Sequence, residues 1–409
     1  MRRLEAWTRL ALVTWATAAT VARAVRYPND FADAHWLLDY RFGLIKRGLA
    51  GSVLSLASSA GLPGPSERVI AVTAFSAFAL LLVTLLWAAG RLASSGSDPG
   101  VTVAAAAVFA TSPFIVMTAH FMGYLDHLVL AAAFAAAWLA RDGRLWAAAL
   151  IAAIGVLVHE SFVLVGLPLV VFGASLRPSG AGRFRAARLI PFALPVLAAV
   201  ALWASETYLL DRAALRGQLE ARLSAFPFVG GDMNLFVPEW LTTGTLASWE
   251  SQRHAFWRHL SDPNLLKRMV PPAAFLVVAC AALAPAGWRG RRAMGAAAVT
   301  MAPLVLHAVA WDTARIWTYP IVAGFGCVWL SGATDGAARA PHRRWLLAAA
   351  IPIVAANIVG HSPLMDGEIE RFSLSTRAWL YLPFLSGAAI AFADAWRTRV
   401  GRASSDLLR

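Results

Sequence analysis

The stretch RVIAVTAFSAFALLLVTLLWAAG, residues 68–90, decides the fold class of this chain of 409 residues. Its only charged residue is Arg68, at its first position. A helix needs about 20 predominantly apolar residues to cross the hydrocarbon core of a bilayer. The run therefore predicts a membrane-spanning helix.

The same rule, applied outward from this run, predicts an all-α, polytopic integral membrane protein with about ten to twelve transmembrane helices. The other predicted spans are 6–25, 100–119, 127–140, 145–158, 161–176, 188–205, 269–286, 293–310, 316–332, 345–360 and 377–395. Segment 145–176 stays open: it is one long tilted helix, or two spans broken around His159 and Glu160.

Composition supports this class of protein. The chain is 59% hydrophobic and 14% charged, with a mean hydropathy of +0.60, whereas a soluble domain carries roughly 25% charged residues. These values exclude a disordered protein, a collagen-like fibre and a disulfide-stapled secreted module. Cys280 and Cys327 lie in apolar runs, where we expect buried free thiols.

The net charge of +13 follows the loops rather than a single basic face. Arginines fall on alternate loops: Arg2 and Arg3, Arg91, Arg141 and Arg144, Arg177 to Arg188, Arg289 to Arg292, Arg339 to Arg344, and Arg397 to Arg402. Positive loops mark the cytoplasmic side, so both termini are predicted to be cytoplasmic. Lysine is nearly absent, which indicates a GC-rich bacterium and its cytoplasmic membrane. Without a basic stripe or tail, nucleic acid is not an expected partner.

Two longer outer segments divide the chain. The modules are an N-terminal transmembrane module over 1–205, an outer loop over 206–268 and a C-terminal transmembrane module over 269–409. The loop after the first span, 26–67, begins with acidic residues and continues as an amphipathic stretch that predicts one or two juxtamembrane helices. In the larger outer loop, 209–225 and 246–260 are predicted as short helices.

Ionisable residues beside apolar spans cost free energy, so each is a candidate functional group. They are Asp30, Asp33, Asp126, His159, Glu160, Asp312 and Arg315, all at predicted outer ends of spans. Structural roles compete with this interpretation. Asp30 or Asp33 would cap a helix over 33–40, and Asp126 would cap the fourth span. Asp312 and Arg315 would form an i, i+3 ion pair.

This layout resembles the GT-C superfamily, the polytopic glycosyltransferases that take sugars from polyprenyl-phosphate carriers. A cytoplasmic N-terminus leads to one span and then to an outer loop of about 40 residues, which begins with NDFAD at 29–33 and has two juxtamembrane helices. The loop has Asp-x-x-Asp rather than the Asp-x-Asp of the family pattern. The resemblance covers the first half of the chain, and the second half in topology alone.

The resemblance implies an inverting transfer to an acceptor on the outer membrane face during cell-envelope glycan assembly. Asp33, or secondarily Asp30, is the expected base. The expected substrate-binding residues are Asp126, His159, Glu160, Asp312 and Arg315, and the expected lipid-phosphate ligands are Arg41, Lys46, Arg47 and Arg315. The acceptor would be a glycan, a lipid or a protein. Paired aspartates serve as a bare base or as ligands of a divalent cation, and both remain open.

Two alternatives predict different residues. A polysaccharide polymerase or ligase of the O-antigen or capsule type, using polyprenyl diphosphate-linked glycans, would depend on arginine and histidine rather than on Asp30 or Asp33. A lipid-linked sugar flippase or a small-molecule transporter would place its functional polar residues near mid-bilayer.

Overall fold

The computed structural model describes residues 2–95, 98–176, 186–310, 312–332, 343–362 and 370–389. Every regular element in these residues is helical, which confirms the all-α prediction. The helices are α1 Arg2–Ala22, α2 Asp30–Leu37, α3 Gly48–Ser59, α4 Glu67–Ala93, α5 Pro99–Ala110, α6 Pro113–His120, α7 Asp126–Asp142, α8 Leu145–Val158, α9 Phe162–Val165, α10 Leu167–Ser175, α11 Ala193–Ala204, α12 Arg212–Ser224, α13 Gly231–Thr242, α14 Thr245–Gln252, α15 Phe256–Leu260, α16 Pro263–Ala282, α17 Arg289–Met301, α18 Thr313–Gly332, α19 Arg343–Val359 and α20 374–389. Short 3₁₀ turns cover Tyr40–Phe42, Ala186–Phe192, Ala286–Trp288 and Ala302–Ala308, and a π turn covers Ser205–Leu209.

Four helical stretches of the described chain are long and apolar enough to cross a membrane: Glu67–Ala93, Pro99–His120, Arg188–Leu209 and Pro263–Ala282. Shorter apolar helices cover Gly48–Ser59, Leu145–Val158, Phe162–Ser175 and Arg344–Val359. Each of the twelve predicted spans overlaps helix in the described residues, and the four long apolar stretches correspond to the predicted spans 68–90, 100–119, 188–205 and 269–286. The predicted arginine clusters at 177–188, 339–344 and 397–402 lie wholly or partly outside the described residues.

The open question about 145–176 has a clear structural answer. Helix α8 ends at Val158, and His159 has an extended backbone with φ −162° and ψ 126°. Helix α9 begins only at Phe162. The segment is therefore two helical stretches, with His159 and Glu160 at the break.

The first helix of the segment 26–67 begins earlier than predicted. The Asn29 side chain accepts a hydrogen bond from the Ala32 backbone N–H, so Asn29 is the N-cap and α2 covers 30–37 instead of 33–40. The prediction that Asp30 or Asp33 caps this helix was therefore wrong. The predicted amphipathic helix in the same loop is present as α3.

The segment 206–268, predicted as an outer loop, contains more helix than predicted. Helix α12 matches the prediction for 209–225, and α14 with α15 matches that for 246–260. Helix α13, over 231–242, was not predicted. The helix begins within the stretch 226–232, whose Pro, Gly and Asp residues indicate a loop. The start of the helix is therefore not visible in the sequence.

One hydrophobic core joins the two halves of the chain. Helix α18 is buried from Ile316 to Gly332 and contacts α4, α5, α6, α10 and α16. Helices α7 and α8 run antiparallel through a connection of two residues, 143–144. Arg91 and Arg141 both lie over the Trp138 ring near this connection. The junctions that hold Asp126 and His159 are thus at the opposite end of α7 and α8.

The first and last parts of the described chain are joined by a buried ion pair. Arg23, just after α1, donates to both oxygens of Glu370, with an Nε–Oε2 distance of 2.8 Å, and to the Asn357 carbonyl. Arg377 of α20 lies 3.5 Å from the same carboxylate. All three charged side chains are fully buried. Cys280 and Cys327 are buried free thiols, as predicted.

Candidate functional site

Several predicted residues meet around a small cavity at one end of the helix bundle. The cavity is lined by Phe31, His35, Arg47, Tyr124, Leu125, Asp126, His159 and Arg315. These residues come from α2, the turn before α3, the start of α7, the break after α8 and the start of α18. Five chain segments that are far apart in sequence therefore build one polar site.

Helix α2 contributes the face that carries Phe31 and His35, one helical turn apart. The His35 Nδ1–H donates to the Phe31 carbonyl at 2.7 Å, and Nε2 accepts from Arg47 at 2.9 Å. Burial and the Arg47 guanidinium hold the pKa of His35 well below its usual range. The ring is thus neutral, which matches its role as an acceptor from arginine.

Arg47 is the central cation of the site. Its φ of +62° makes it the sole non-glycine residue with positive φ in the described part of the chain. Its guanidinium lies 3.1 Å from Glu160 and 4.0 Å from the centre of the Trp240 ring. A left-handed backbone at a large residue is strained, and such strain persists only where the surroundings impose it. Here those surroundings are His35, Glu160 and Trp240.

The break between α8 and α9 supplies an imidazole and a carboxylate. His159 Nδ1 accepts from the Ser161 N–H at 3.1 Å, so the ring proton lies on Nε2, which is buried and has no protein partner among the described residues. Burial opposes ionisation of Glu160, but Arg47 and its hydrogen bond lower the pKa of this carboxyl below its usual range. The site therefore offers one open N–H donor and one ionised carboxylate.

Arg315 joins two carboxylates. It lies 2.9 Å from Asp126 and 2.6 Å from Asp312. The contact with Asp312 is the i, i+3 ion pair that the sequence predicted as the structural alternative to a functional role. The contact with Asp126 spans 189 positions of sequence and brings Arg315 to the cavity. Arg315 thus forms the structural ion pair with Asp312 and also lines the cavity.

The charges of the site are nearly balanced. Arg47 and Arg315 face the carboxylates of Glu160, Asp126 and Asp312. Paired carboxylates and arginines present both acceptors and donors, while Phe31, Tyr124 and Trp240 add aromatic faces. Such a mixture of polar groups and flat apolar surface is what the hydroxyl-rich, partly apolar ring of a sugar requires.

The predicted acidic residues of α2 lie elsewhere. Two residues along a helix correspond to a rotation of about 200°, so Asp33 points away from the cavity side of His35. Asp33 is buried, and burial with the nearby charges of Asp30 and Glu67 raises its pKa to about 7. Asp30 is exposed and accepts from the Gly230 N–H at 2.9 Å. The structure does not bring either carboxylate to the cavity.

The other cations predicted as phosphate ligands, Arg41 and Lys46, lie away from this cavity. Arg41 is mostly exposed and pairs with Asp39 at 2.6 Å. Lys46 pairs with Glu206 at 2.9 Å and lines a second cavity of about 270 Å³ with Leu210 and Leu215. Of the cations predicted in the first outer loop, Arg47 alone lines the cavity of the candidate site.

Sequence reasoning missed three parts of the site. His35, Tyr124 and Trp240 lie in mixed polar and aromatic stretches without the interrupted apolar run that identified His159. The useful signal at His35 was its separation of four residues from Phe31 on one helix face. Within the described residues no group of three His, Cys, Asp or Glu side chains could hold a metal ion.

Comparisons with known proteins do not assign the chain to a family. No family model, no curated protein and no solved structure matches the chain. The resemblance to GT-C enzymes stays a prediction from sequence layout, and the site must be interpreted from its own chemistry.

Proposed function

We propose that the chain is a polytopic protein of the bacterial cytoplasmic membrane, with ten to twelve spans and both termini in the cytoplasm. The four long apolar helices and the shorter apolar helices between them support this proposal. The separation of Arg91 and Arg141 from the cavity, at opposite ends of α7, also supports it. On this topology the cavity faces the outer side.

The function that the geometry supports best is a membrane glycosyltransferase. Its donor would be a sugar linked to polyprenyl phosphate, and its acceptor a glycan, lipid or protein on the outer face. The observation that carries the proposal is the cluster of Arg47, His159, Asp126 and Arg315 around a cavity at the end of the bundle, with Glu160 paired to Arg47 beside it. A membrane-anchored donor presents its head group at this depth.

The cavity residues have complementary roles in this reaction. The acceptor hydroxyl attacks the anomeric carbon, the new C–O bond forms, and the bond from that carbon to the phosphate oxygen breaks. Arg47 and Arg315 would stabilise the negative charge that develops on the departing phosphate. The open Nε2–H of His159 would donate to the same phosphate or to a sugar hydroxyl.

The acceptor proton needs a carboxylate within hydrogen-bond reach. Glu160 is the most accessible carboxylate of the cluster, with 34% of its side chain exposed against 8% for Asp126 and 7% for Asp312. Its Oε2 is buried without a hydrogen bond within the described part of the chain and lies 3.4 Å from His159 Nδ1. We therefore assign the role of base to Glu160, and Asp126 to orienting Arg315.

The test is sugar transfer by the purified full-length chain in lipid nanodiscs. The chain is incubated with a panel of polyprenyl-phosphate-linked pentoses and hexoses and with a membrane extract as the source of acceptor. We expect free polyprenyl phosphate to be released from one donor, and Glu160→Gln to slow the release strongly. Absence of release from every donor, together with movement of a labelled substrate across vesicle membranes, would replace the proposal with a transporter.

A second candidate is a polysaccharide polymerase or ligase acting on polyprenyl diphosphate-linked glycans. The observation that favours it is the gathering of arginine and histidine at the cavity, while Asp30 and Asp33 lie outside it. The leaving group separates the two candidates. A glycosyltransferase of the proposed kind releases polyprenyl monophosphate, whereas a polymerase or ligase releases polyprenyl diphosphate, and mass spectrometry distinguishes them.

A further inference from the structure

Helix α13 covers the candidate site from the large outer loop. Trp240 packs on the Arg47 guanidinium, and its ring centre is 6.0 Å from that of His35 and 6.4 Å from that of Phe31. Phe236, one turn earlier, lies 6.2 Å from Phe31. One aromatic face of α13 thus closes over the aromatic and cationic wall of the cavity.

The beginning of α13 is fixed by Asp30. The Asp30 carboxylate accepts a hydrogen bond from the N–H of Gly230, the residue before the helix, at 2.9 Å. A Cβ atom at position 230 would collide with this carboxylate, so the close approach depends on glycine there. Asp30 belongs to the first outer loop, so the contact joins the two outer segments.

The end of α13 is fixed by Lys46 and Glu206. Lys46 Nζ is 3.5 Å from the carbonyl of Thr243, the residue after α13, and 2.9 Å from Glu206 Oε2. The other oxygen of Glu206 accepts from the N–H of Thr245, the first residue of α14, at 3.0 Å. Glu206 lies in the π turn at 205–209, a wide turn of a kind often found at functional positions.

We propose that Asp30 and Glu206 are positioning residues that hold the two ends of α13, so that Trp240 closes the cavity over Arg47. Lys46 then acts as the partner of Glu206 and not as a ligand of the lipid phosphate. The inference deepens the proposed function, because it names the element that opens for the sugar and closes for transfer, yet the geometry of the cover needs no assumption about the substrate.

The two ends differ in strength. The Glu206 side chain is 9% exposed and its partner Lys46 is 14% exposed, whereas Asp30 is exposed to solvent. Exposed polar contacts contribute little because water competes for them, while removing one partner of a buried ion pair is strongly destabilising. Glu206 is therefore expected to dominate, and loss of Asp30 to add to its effect.

The test measures the position of α13 without any substrate. Nitroxide labels are placed at Leu235, on an exposed face of α13, and at Ser59, at the exposed end of α3. Cys280 and Cys327 are fully buried and are left in place. Double electron–electron resonance on the full-length chain in nanodiscs then reports the distance between the two helices. The variants are Glu206→Ala, Asp30→Ala and the double change.

The matched control is Asp142→Ala. Asp142 also lies beside an arginine, Arg144, at 3.8 Å, but this pair is at the far end of α7 and away from α13. We expect one narrow distance for the parent chain and for the control. Glu206→Ala should add a longer distance component, and the double variant should make that component dominant.

Unchanged distances in Glu206→Ala and in the double variant would overturn the proposal. If Glu206→Ala fails to fold, Lys46→Met removes the same ion pair from its other partner and must give the longer component. Because no sugar donor is used, failure of sugar transfer leaves this result intact. Conversely, a donor that is turned over while α13 stays in place in every variant would refute the cover and leave the proposed function standing.

Discussion

Two acidic regions of this molecule differ in a single respect, the presence of arginine. Asp33 on α2 is buried beside other carboxylates, and its pKa rises to about 7. Glu160 is held 3.1 Å from Arg47, which lowers its pKa. Burial penalises the charged form in both regions, but an adjacent cation reverses the outcome. Of these two carboxylates, the one beside a cation stays ionised at neutral pH.

The difference separates two kinds of chemistry. An ionised carboxylate can bind hydroxyl groups and accept their protons, whereas a largely protonated carboxyl near neutral pH is only a weak acceptor. Asp33 has the pKa that a general base needs, but Glu160 is the carboxylate that lies beside Arg47 and His159 at the candidate site. Substitution of each carboxylate in turn shows which of these properties decides activity.

We expect Glu160→Gln to have the largest effect. Glutamine keeps the size of the side chain but cannot accept a proton, so transfer should fall about 10²- to 10⁴-fold, the range typical of a general base. Donor binding should change much less. The measurement is the rate of polyprenyl phosphate release under single-turnover conditions. Glu220→Gln, which also alters an arginine pair, should retain parental rates. Full activity of Glu160→Gln would return the role of base to Asp33.

Arg315→Ala should weaken binding of the lipid donor. The loss of a charge-assisted contact costs roughly 1.5–3 kcal/mol, or about ten- to a hundredfold in affinity. Native mass spectrometry with polyprenyl phosphate measures the affinity directly. The matched control is Arg144→Ala, since Arg144 is 71% exposed beyond the far end of α7. Equal effects of both changes would leave Arg315 with its ion-pair role alone.

Trp240→Ala tests the aromatic face that rests on Arg47. A desolvated cation–π contact contributes about 2 kcal/mol, and an exposed one about 0.5–1 kcal/mol. We therefore expect donor affinity to fall roughly three- to thirtyfold. Trp257→Ala removes a tryptophan that is 74% exposed on α15 and should have no such effect. A loss of affinity in both variants would indicate a general effect on the outer loop.

Asp33→Asn is expected to have the smallest effect on transfer and a visible effect on stability. The folded chain binds a proton on Asp33 between its usual pKa of 3.8 and about 7, and the unfolded chain does not. The stability of the parent therefore falls as the pH rises from about 4 to 7, by at most about 1.4 kcal/mol per pKa unit. Asparagine does not titrate.

The midpoint of thermal unfolding in detergent measures this difference. It should be higher for Asp33→Asn than for the parent at pH 8, and the gap should narrow toward pH 5. Asp142→Asn, which changes an exposed carboxylate, provides the control. A constant gap across this range would mean that Asp33 is ionised throughout. Loss of transfer in Asp33→Asn would show that pKa rather than position decides the base.

Much of the helical organisation could be predicted from the sequence, because apolar runs of sufficient length have few alternatives to helix near a bilayer. The convergence of Asp126, His159 and Arg315 also followed from a physical rule. Charged groups at the ends of apolar runs are expensive to bury alone, so they must find one another. These residues were identifiable one at a time, and topology brought them to one end.

Which side chains of α2 point towards the cavity could not be predicted in the same way. A shift of the helix start from 33 to 30 changes the direction in which every later side chain of the helix points. The choice was made by Asn29, a capping residue that competes with Asp30 and Asp33 on nearly equal terms. Trp240 escaped prediction for a different reason: an aromatic residue in an outer loop carries no burial penalty that would mark it.

The pairing of Arg23 with Glu370 has a consequence for how the protein is made. The two residues are 347 positions apart. At about 5–20 residues per second, synthesis takes roughly 20–70 s to proceed from Arg23 to Glu370. During that interval Arg23, at the end of α1, lacks its carboxylate partner. Helix α1 is thus among the first helices to be made and the last to be secured, and a chain that ends before residue 370 should be more susceptible to proteolysis.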